Sequence, residues 1–155
     1  GRGNREPCLI ALFRNILTSE PQGIQRTALT RDGAKIARKM LGPVSGAAIK
    51  IDDEIRGTRQ PLGVAEGLET ALSVHQASWQ RIWAVGSAGA MRAMPLVPAT
   101  ELMIFADNDS SGVGQGAAFA LQRRWFEGGQ RASVQIPAIV GDFNDALMRT
   151  VHAGA

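Results

Sequence analysis

Three stretches carry acidic residues where they could do chemistry. The densest is residues 102–118, LMIFADNDSSGVGQGAA. A short apolar run ends in Asp107 and Asp109, with Asn108 between them, and Gly112, Gly114 and Gly116 follow. In an extended backbone, residues i and i+2 share a side, so both carboxylates can face one cation. Capping of the following helix is the ordinary alternative for such acids. Two further acidic sites weigh against it, Glu66-Gly67 upstream and Gly141-Asp142-Phe143-Asn144-Asp145 downstream. Each has its own plain reading: Glu66 as a bare strand end beside a first-turn acid, Glu69, and Asp142 as an N-cap with Asp145 in the first turn.

The elements that must position these residues follow from hydrophobic patterning. From Pro61 the chain alternates strand and helix. Leu62–Ala65 reads as a strand and Leu68–Gln76 as a helix. Residues 81–85 read as a strand, 90–94 as a short helix and 102–106 as a strand. Residues 112–126 form a predicted helix stopped by Gly128-Gly129, 133–136 a strand and 146–152 a last helix. Four strand–helix units imply a parallel sheet of about four strands with helices on its faces. Parallel strands bring their carboxyl ends to one edge, so Glu66, Asp107, Asp109 and the 142–145 segment should converge there. So many anions repel one another unless a cation neutralises them. All-oxygen donors favour a hard ion, Mg²⁺ or Mn²⁺.

The first sixty residues differ. Residues 8–13 and 24–29 read as two strands of a hairpin with a long connection, and 46–51 as a further strand. Residues 34–41 carry Lys35, Arg38 and Lys39 among apolar residues and fit either a short helix or an extended basic segment. Asp52-Asp53-Glu54 looks like a metal cluster on paper, but a charged turn is the better reading. The division expected is a β-rich segment over 1–60 and an α/β unit over 61–155. Gly86-Ser87-Ala88-Gly89 could bring a phosphate to the backbone at a helix start, or be a tight turn without ligand. Arg92 and Asp145 are further candidate phosphate or nucleic-acid contacts, and Arg92, Arg123 and Arg124 read either as a basic surface near the site or as solvated helix charges. Trp79, Trp83 and Trp125 read as packing residues, and His75 and His152 take no role.

Composition narrows the classes. A hydrophobic share of 45% and a charged share of 20% suit a soluble globular domain. No apolar run is long enough to span a membrane. A single cysteine, Cys8, excludes an internal disulfide and a cysteine-rich zinc site, and fits the cytoplasm. A net charge of +3 is compatible with a phosphate-rich partner. The chain has no Tyr, so it cannot complete a tyrosyl-phosphate mechanism alone. It opens Gly1-Arg2-Gly3-Asn4, which reads as a piece of a longer protein.

Val64-Ala65-Glu66-Gly67 followed by Asp107-Asn108-Asp109-Ser110-Ser111-Gly112 resembles the Toprim domain of primases, topoisomerases and certain nucleases. The likeness covers about residues 61–150 and resembles in particular the Toprim domains of phage- and plasmid-type primases and primase–helicases. The stretch around Gln25-Arg26-Thr27 is similar, more loosely, to what precedes the domain in those mobile-element proteins. The resemblance implies a Rossmann-like fold and Mg²⁺-dependent nucleotidyl transfer, making primers on single-stranded DNA from nucleoside triphosphates, beside a helicase or other domains of a parent replication protein. It implies Asp107 and Asp109 as metal ligands, Asp142 as an additional ligand, and Glu66 as a ligand or general base. A Toprim nuclease and a non-catalytic nucleic-acid-binding or assembly module are the alternatives. One departure is plain: primases often carry Asp four residues after the glutamate, and Thr70 stands there.

Overall fold

A computed structural model of the chain describes residues 6–52, 60–77, 79, 81–138 and 140–145. In chain order the elements are β1 (Cys8–Asn15), β2 (Pro21–Leu29), β3 (Lys35–Leu41), β4 (Ala47–Ile51), β5 (Leu62–Ala65), α1 (Leu68–Gln76), β6 (Ile82–Ala84), α2 (Ala88–Ala93), β7 (Leu102–Phe105), α3 (Val113–Glu127) and β8 (Ala132–Gln135). The strands form one sheet in the order β3-β2-β1-β4-β6-β5-β7-β8. Its second half, β6-β5-β7-β8, is parallel, as the strand–helix alternation requires.

Both faces of that half are covered, so β5, β6 and β7 are apolar throughout rather than alternating, while the edge strand β8 carries Ser133 and Gln135. All four residues of β5 and all three of β6 are buried. On one face Leu62, Val64, Trp83, Leu102 and Ile104 pack with Met91 of α2 and with Leu121 and Trp125 of α3. On the other, Ala65, Ile82, Ala84 and Phe105 pack with Leu68, Ala71 and Val74 of α1 and with Phe13 and Ile49. Trp83 and Trp125 are packing residues, 2% and 0% exposed.

The amino-terminal strands extend this sheet. β4 runs antiparallel to β6, with Ile49 opposite Ala84, and β1 runs antiparallel to β4. β1 and β2 form the expected hairpin. The ambiguous basic segment is the strand β3, paired with β2 from Ile24↔Leu41 to Leu29↔Lys35. No helical face decides it: Arg38 pairs with Thr27 and Met40 with Gln25, both buried positions of β2, so Arg38 and Met40 share the covered side. Asp52 adopts φ 52°, consistent with a turn, while Asp53 and Glu54 lie outside the described residues. The helix expected at 146–152 also lies outside them.

Gly63 of β5 is needed for lack of volume. A Cβ there would stand 2.6 Å from Nε1 and 2.9 Å from Cδ1 of Trp79, whose ring meets Phe105 edge-on at 5.7 Å. Gly63→Ala should force the indole off the sheet. The expected loss is about 1–3 kcal/mol, read as a lower denaturation midpoint with a shift of tryptophan emission. Unchanged emission would show that the indole does not depend on this glycine.

Candidate active site

The pairing of β5 with β7 sets Ala65 opposite Phe105, so the residues just beyond both strands lie side by side. Glu66 and Ala106 occupy those places, and Asp107 follows one residue further on, near enough for its charge to act on Glu66. Both acids are half-buried. Burial, followed by repulsion from Asp107, raises the Glu66 carboxyl above its ordinary value of 4.5. A backbone hydrogen bond from Ala88 and the Arg38 guanidinium pull the other way and lose. Burial also raises Asp107 above its ordinary 3.8, with Asp142, Asp109 and Glu69 adding to the push. The hydroxyl of Thr70 opposes this, donating to Asp107 Oδ1 at 3.0 Å from a position only 3% exposed. Thr70 thus fills the family's acidic position with a donor that anchors one oxygen of Asp107.

Asp109 behaves differently. Its Oδ1 accepts from Ser111 N at 2.8 Å, from the Ser111 hydroxyl and from Gly112 N at 3.1 Å. The Ser111 hydroxyl, first among these, draws the Asp109 carboxyl below its ordinary value. One oxygen therefore shapes the turn into α3, which begins at Gly112 with φ 64°. Asp109 holds the turn before the helix and does not cap it, since Gly112 is the N-cap and no side chain caps α3, while its charge still raises Asp107 and Glu66.

Asp142 and Asp145 cap one another. Asp145 N donates to Asp142 Oδ1 at 2.8 Å, and Asp142 N donates to Asp145 Oδ2 at 3.2 Å. Asp142 is nevertheless near enough to repel Asp107. Its turn is docked from two sides: Phe143 meets Phe105 edge-on at 5.3 Å, and the Ser73 hydroxyl donates to Asn144 Oδ1 at 3.3 Å.

The other candidates divide. Gly86 N donates to Glu66 O at 2.7 Å, which places the Gly86-Ser87 turn beside the acids. Ser87 caps α2 by accepting from Ala90 N at 3.1 Å. Both line a cavity of about 330 Å³ with Ile16, Met40, Val44 and Met94. Arg92 is exposed on α2, where a Cβ at Gly116 would stand 3.3 Å from its Nη2. Arg124 is turned to the carbonyls of Arg92 and Met94, and Arg123 pairs with Glu127 at 2.8 Å.

Three participants were missed. Glu69 adds to the repulsion at Asp107; burial opposes its ionisation, but the Lys35 hydrogen bond and charge bring it below its ordinary value. Lys35 reaches it at 2.8 Å from β3. Arg38, from the same strand, acts on both Glu66 and Glu69. Strand assignment of residues 35–41 would have put Arg38 on the covered side with Met40, and that was the available signal. Gly114 has a clear part as well: a Cβ there would lie 3.3 Å from Glu66 Oε2.

Among the described residues no three His, Cys, Asp or Glu side chains stand close enough to make a ready-formed metal cage. The donor chemistry nonetheless fits a hard divalent cation. Glu66 and Asp107 are oxygen donors, both ionised with difficulty because burial and like charge oppose the anion, and a bound cation would relieve that opposition. Among the described residues no helix is long and apolar enough to cross a membrane.

A parallel α/β sheet, helices on both faces and acids at the carboxyl edge define a Rossmann-like domain with a strand-end site. The Toprim domain model matches residues 61–153, more than half of the chain, and the chain belongs to that family. Three solved structures share the fold. A DNA primase domain from Pseudomonas aeruginosa aligns with TM-score 0.63 at 12% identity, over 97% of this chain and 50% of that one. The DnaG catalytic core aligns at 0.65 and 12%, over 92% and 48%. The RNA polymerase domain of Mycobacterium tuberculosis primase DnaG aligns at 0.58 and 21%, over 99% and 54%. The chain thus spans about half the length of these primase structures. No sequence among the curated proteins matches it.

The raised carboxyls tie the site to stability. Glu66 and Asp107 are easier to protonate folded than unfolded. Their contribution is fully present below their ordinary values of 4.5 and 3.8 and is lost as pH rises through the raised ones. Metal-free Glu66→Gln and Asp107→Asn should therefore be more stable than the wild type at neutral pH. After allowance for solvent screening the gain is about 0.5–1 kcal/mol, roughly 2–3 °C. Thermal melts across pH should show the gain vanish near pH 3.8, the ordinary Asp value. A gain that persisted there would place its origin elsewhere.

Proposed function

We propose that this edge performs divalent-cation-dependent nucleotidyl transfer, as the Toprim part of a primase-like replication or mobile-element protein that extends primers on single-stranded DNA in the cytoplasm. The observation that supports it is the convergence of Glu66 and Asp107 from neighbouring strand ends, both half-buried and both raised, Glu66 by burial and the Asp107 charge, Asp107 by burial and the charges of Asp142, Asp109 and Glu69. Family membership and the shared fold of the primase domains support the same reading.

The residues divide the work. Asp107 and Asp109, with Asp142, would hold Mg²⁺ or Mn²⁺. When bound, the cation relieves charge on the phosphate and on the departing pyrophosphate. A raised Glu66 is suited to accept the proton of the attacking hydroxyl. The Thr70 hydroxyl orients the Asp107 carboxylate, which would hold the cation in a fixed rotamer. The Gly86-Ser87 turn with Arg92, and Asp145, remain candidates for the phosphate chain. The DNA template, nucleoside triphosphates and an adjoining helicase are the partners this reading requires.

A Mn²⁺ titration followed by calorimetry tests the cage. The wild type should bind, and Asp107→Asn should lose at least tenfold in affinity. Template-dependent incorporation of labelled nucleotides should then require the same carboxylates. Cleavage of labelled DNA without nucleotides would replace this reading with a nuclease using the same acids. DNA affinity that survives chelation, with no specific Mn²⁺ binding, would replace it with a binding or assembly module.

A further inference from the structure

Asn108 sits between the two aspartates, yet its hydrogen bonds lead away from them. Its backbone makes an antiparallel bridge with Gly141: Asn108 N donates to Gly141 O at 2.8 Å and Gly141 N donates to Asn108 O at 2.9 Å. Its side-chain Nδ2 donates to Pro137 O at 3.0 Å. Its Oδ1 accepts from Gln115 Nε2 at 3.4 Å, and that nitrogen also reaches Asp107 O at 3.4 Å. The side chain therefore spans from the first turn of α3 to the chain that leaves β8.

The chain it holds is the one that delivers Asp142. Gly141 adopts φ 129°, and a Cβ there would run into the Asp145 carboxylate. The bridge thus ends at a residue whose backbone only glycine takes easily, next to Asp142 itself. Asp142 is the residue whose charge, after burial and the Thr70 bond, bears most on Asp107.

We propose that Asn108 is a positioning residue for the acidic edge: its side-chain amide holds Pro137 while its backbone bridges Gly141, and so fixes Asp142 beside Asp107. Asn supplies both a donor for the Pro137 carbonyl and an acceptor for Gln115, which neither Gly nor Asp at this place can do. The consequence for cation binding rests on the nucleotidyl-transfer reading above. The clamp itself does not.

The experiment has two arms. Amide hydrogen exchange of the whole chain is compared between wild type and Asn108→Ala. Loss of one such hydrogen bond should speed exchange at the bonded amides of Gly141, Asp142 and Asp145 by about fivefold to tenfold, with β5 and β7 unchanged. Mn²⁺ affinity is then measured for Asn108→Ala, Asp142→Asn and the double variant. Asp142→Asn keeps the oxygen that caps Asp145. Both single variants should weaken binding by similar factors, and the double should be no weaker than either. Unchanged exchange at Gly141, or losses that multiply in the double variant, would overturn the proposal. If the wild type binds no Mn²⁺, the cage reading falls and exchange alone decides the clamp. Should Asn108→Ala fail to fold, Asn108→Asp keeps the shape but cannot donate to Pro137, and it must show the same faster exchange.

Discussion

The parallel pairing of β5 with β7 is the constraint on which the site depends. It places Ala65 against Phe105 and so brings Glu66, the next residue of one strand, and Asp107, two residues past the other, to one edge where neither is fully hydrated. Nothing local would choose this, since like charges repel and burial opposes ionisation. The pairing is imposed by the layers on both sides. Leu62, Val64, Leu102, Ile104, Trp83 and Trp125 are each at most 2% exposed. Large apolar side chains so buried contribute about 1.5–3 kcal/mol apiece. The repulsion at the edge, screened by its exposure, is on the order of 1 kcal/mol per carboxyl. The core decides the geometry and the acids submit to it.

That ordering explains which elements could be read from the sequence. β5 and α1 have the bounds that their patterning predicts, Leu62–Ala65 and Leu68–Gln76. A strand buried on both faces is a short unbroken apolar run, and a helix on its surface shows a 3.6-residue period. β3 has neither signature. Its residues Lys35–Leu41 are mostly exposed, so burial leaves almost no imprint on residue type. Its conformation comes from pairing with β2, a non-local fact that a window of local sequence does not contain. The Lys35–Glu69 ion pair, which ties this strand to α1, was hidden for the same reason.

The site was legible to the extent that it depends on strand ends. Glu66 and Asp107 follow two buried runs, and topology alone brings them together. Oxygen-by-oxygen roles were not legible. Asp109 and Asp142 each accept backbone amides within three residues on one oxygen, a detail that residue type and spacing do not carry. Thr70 could be seen as a missing acid. That its hydroxyl meets Asp107 could be seen only in three dimensions.

Two kinds of carboxylate result, and the difference has chemical meaning. Asp109 is drawn below its ordinary value by donors in its own turn, and stays charged at little cost. Glu66 and Asp107 are pushed the other way by burial and by neighbours. Groups of one chemical type whose environments separate their pKa values are the usual sign of divided acid–base roles. On the proposed reading, Asp109 contributes standing charge and a fixed turn, while Glu66 is the group able to take and release a proton. Gly114 belongs to that division, since any side chain there would crowd Glu66 Oε2. The glycine run after the aspartates therefore does more than turn the chain. It brings the start of α3 close to the acidic edge while leaving room for the Glu66 carboxyl.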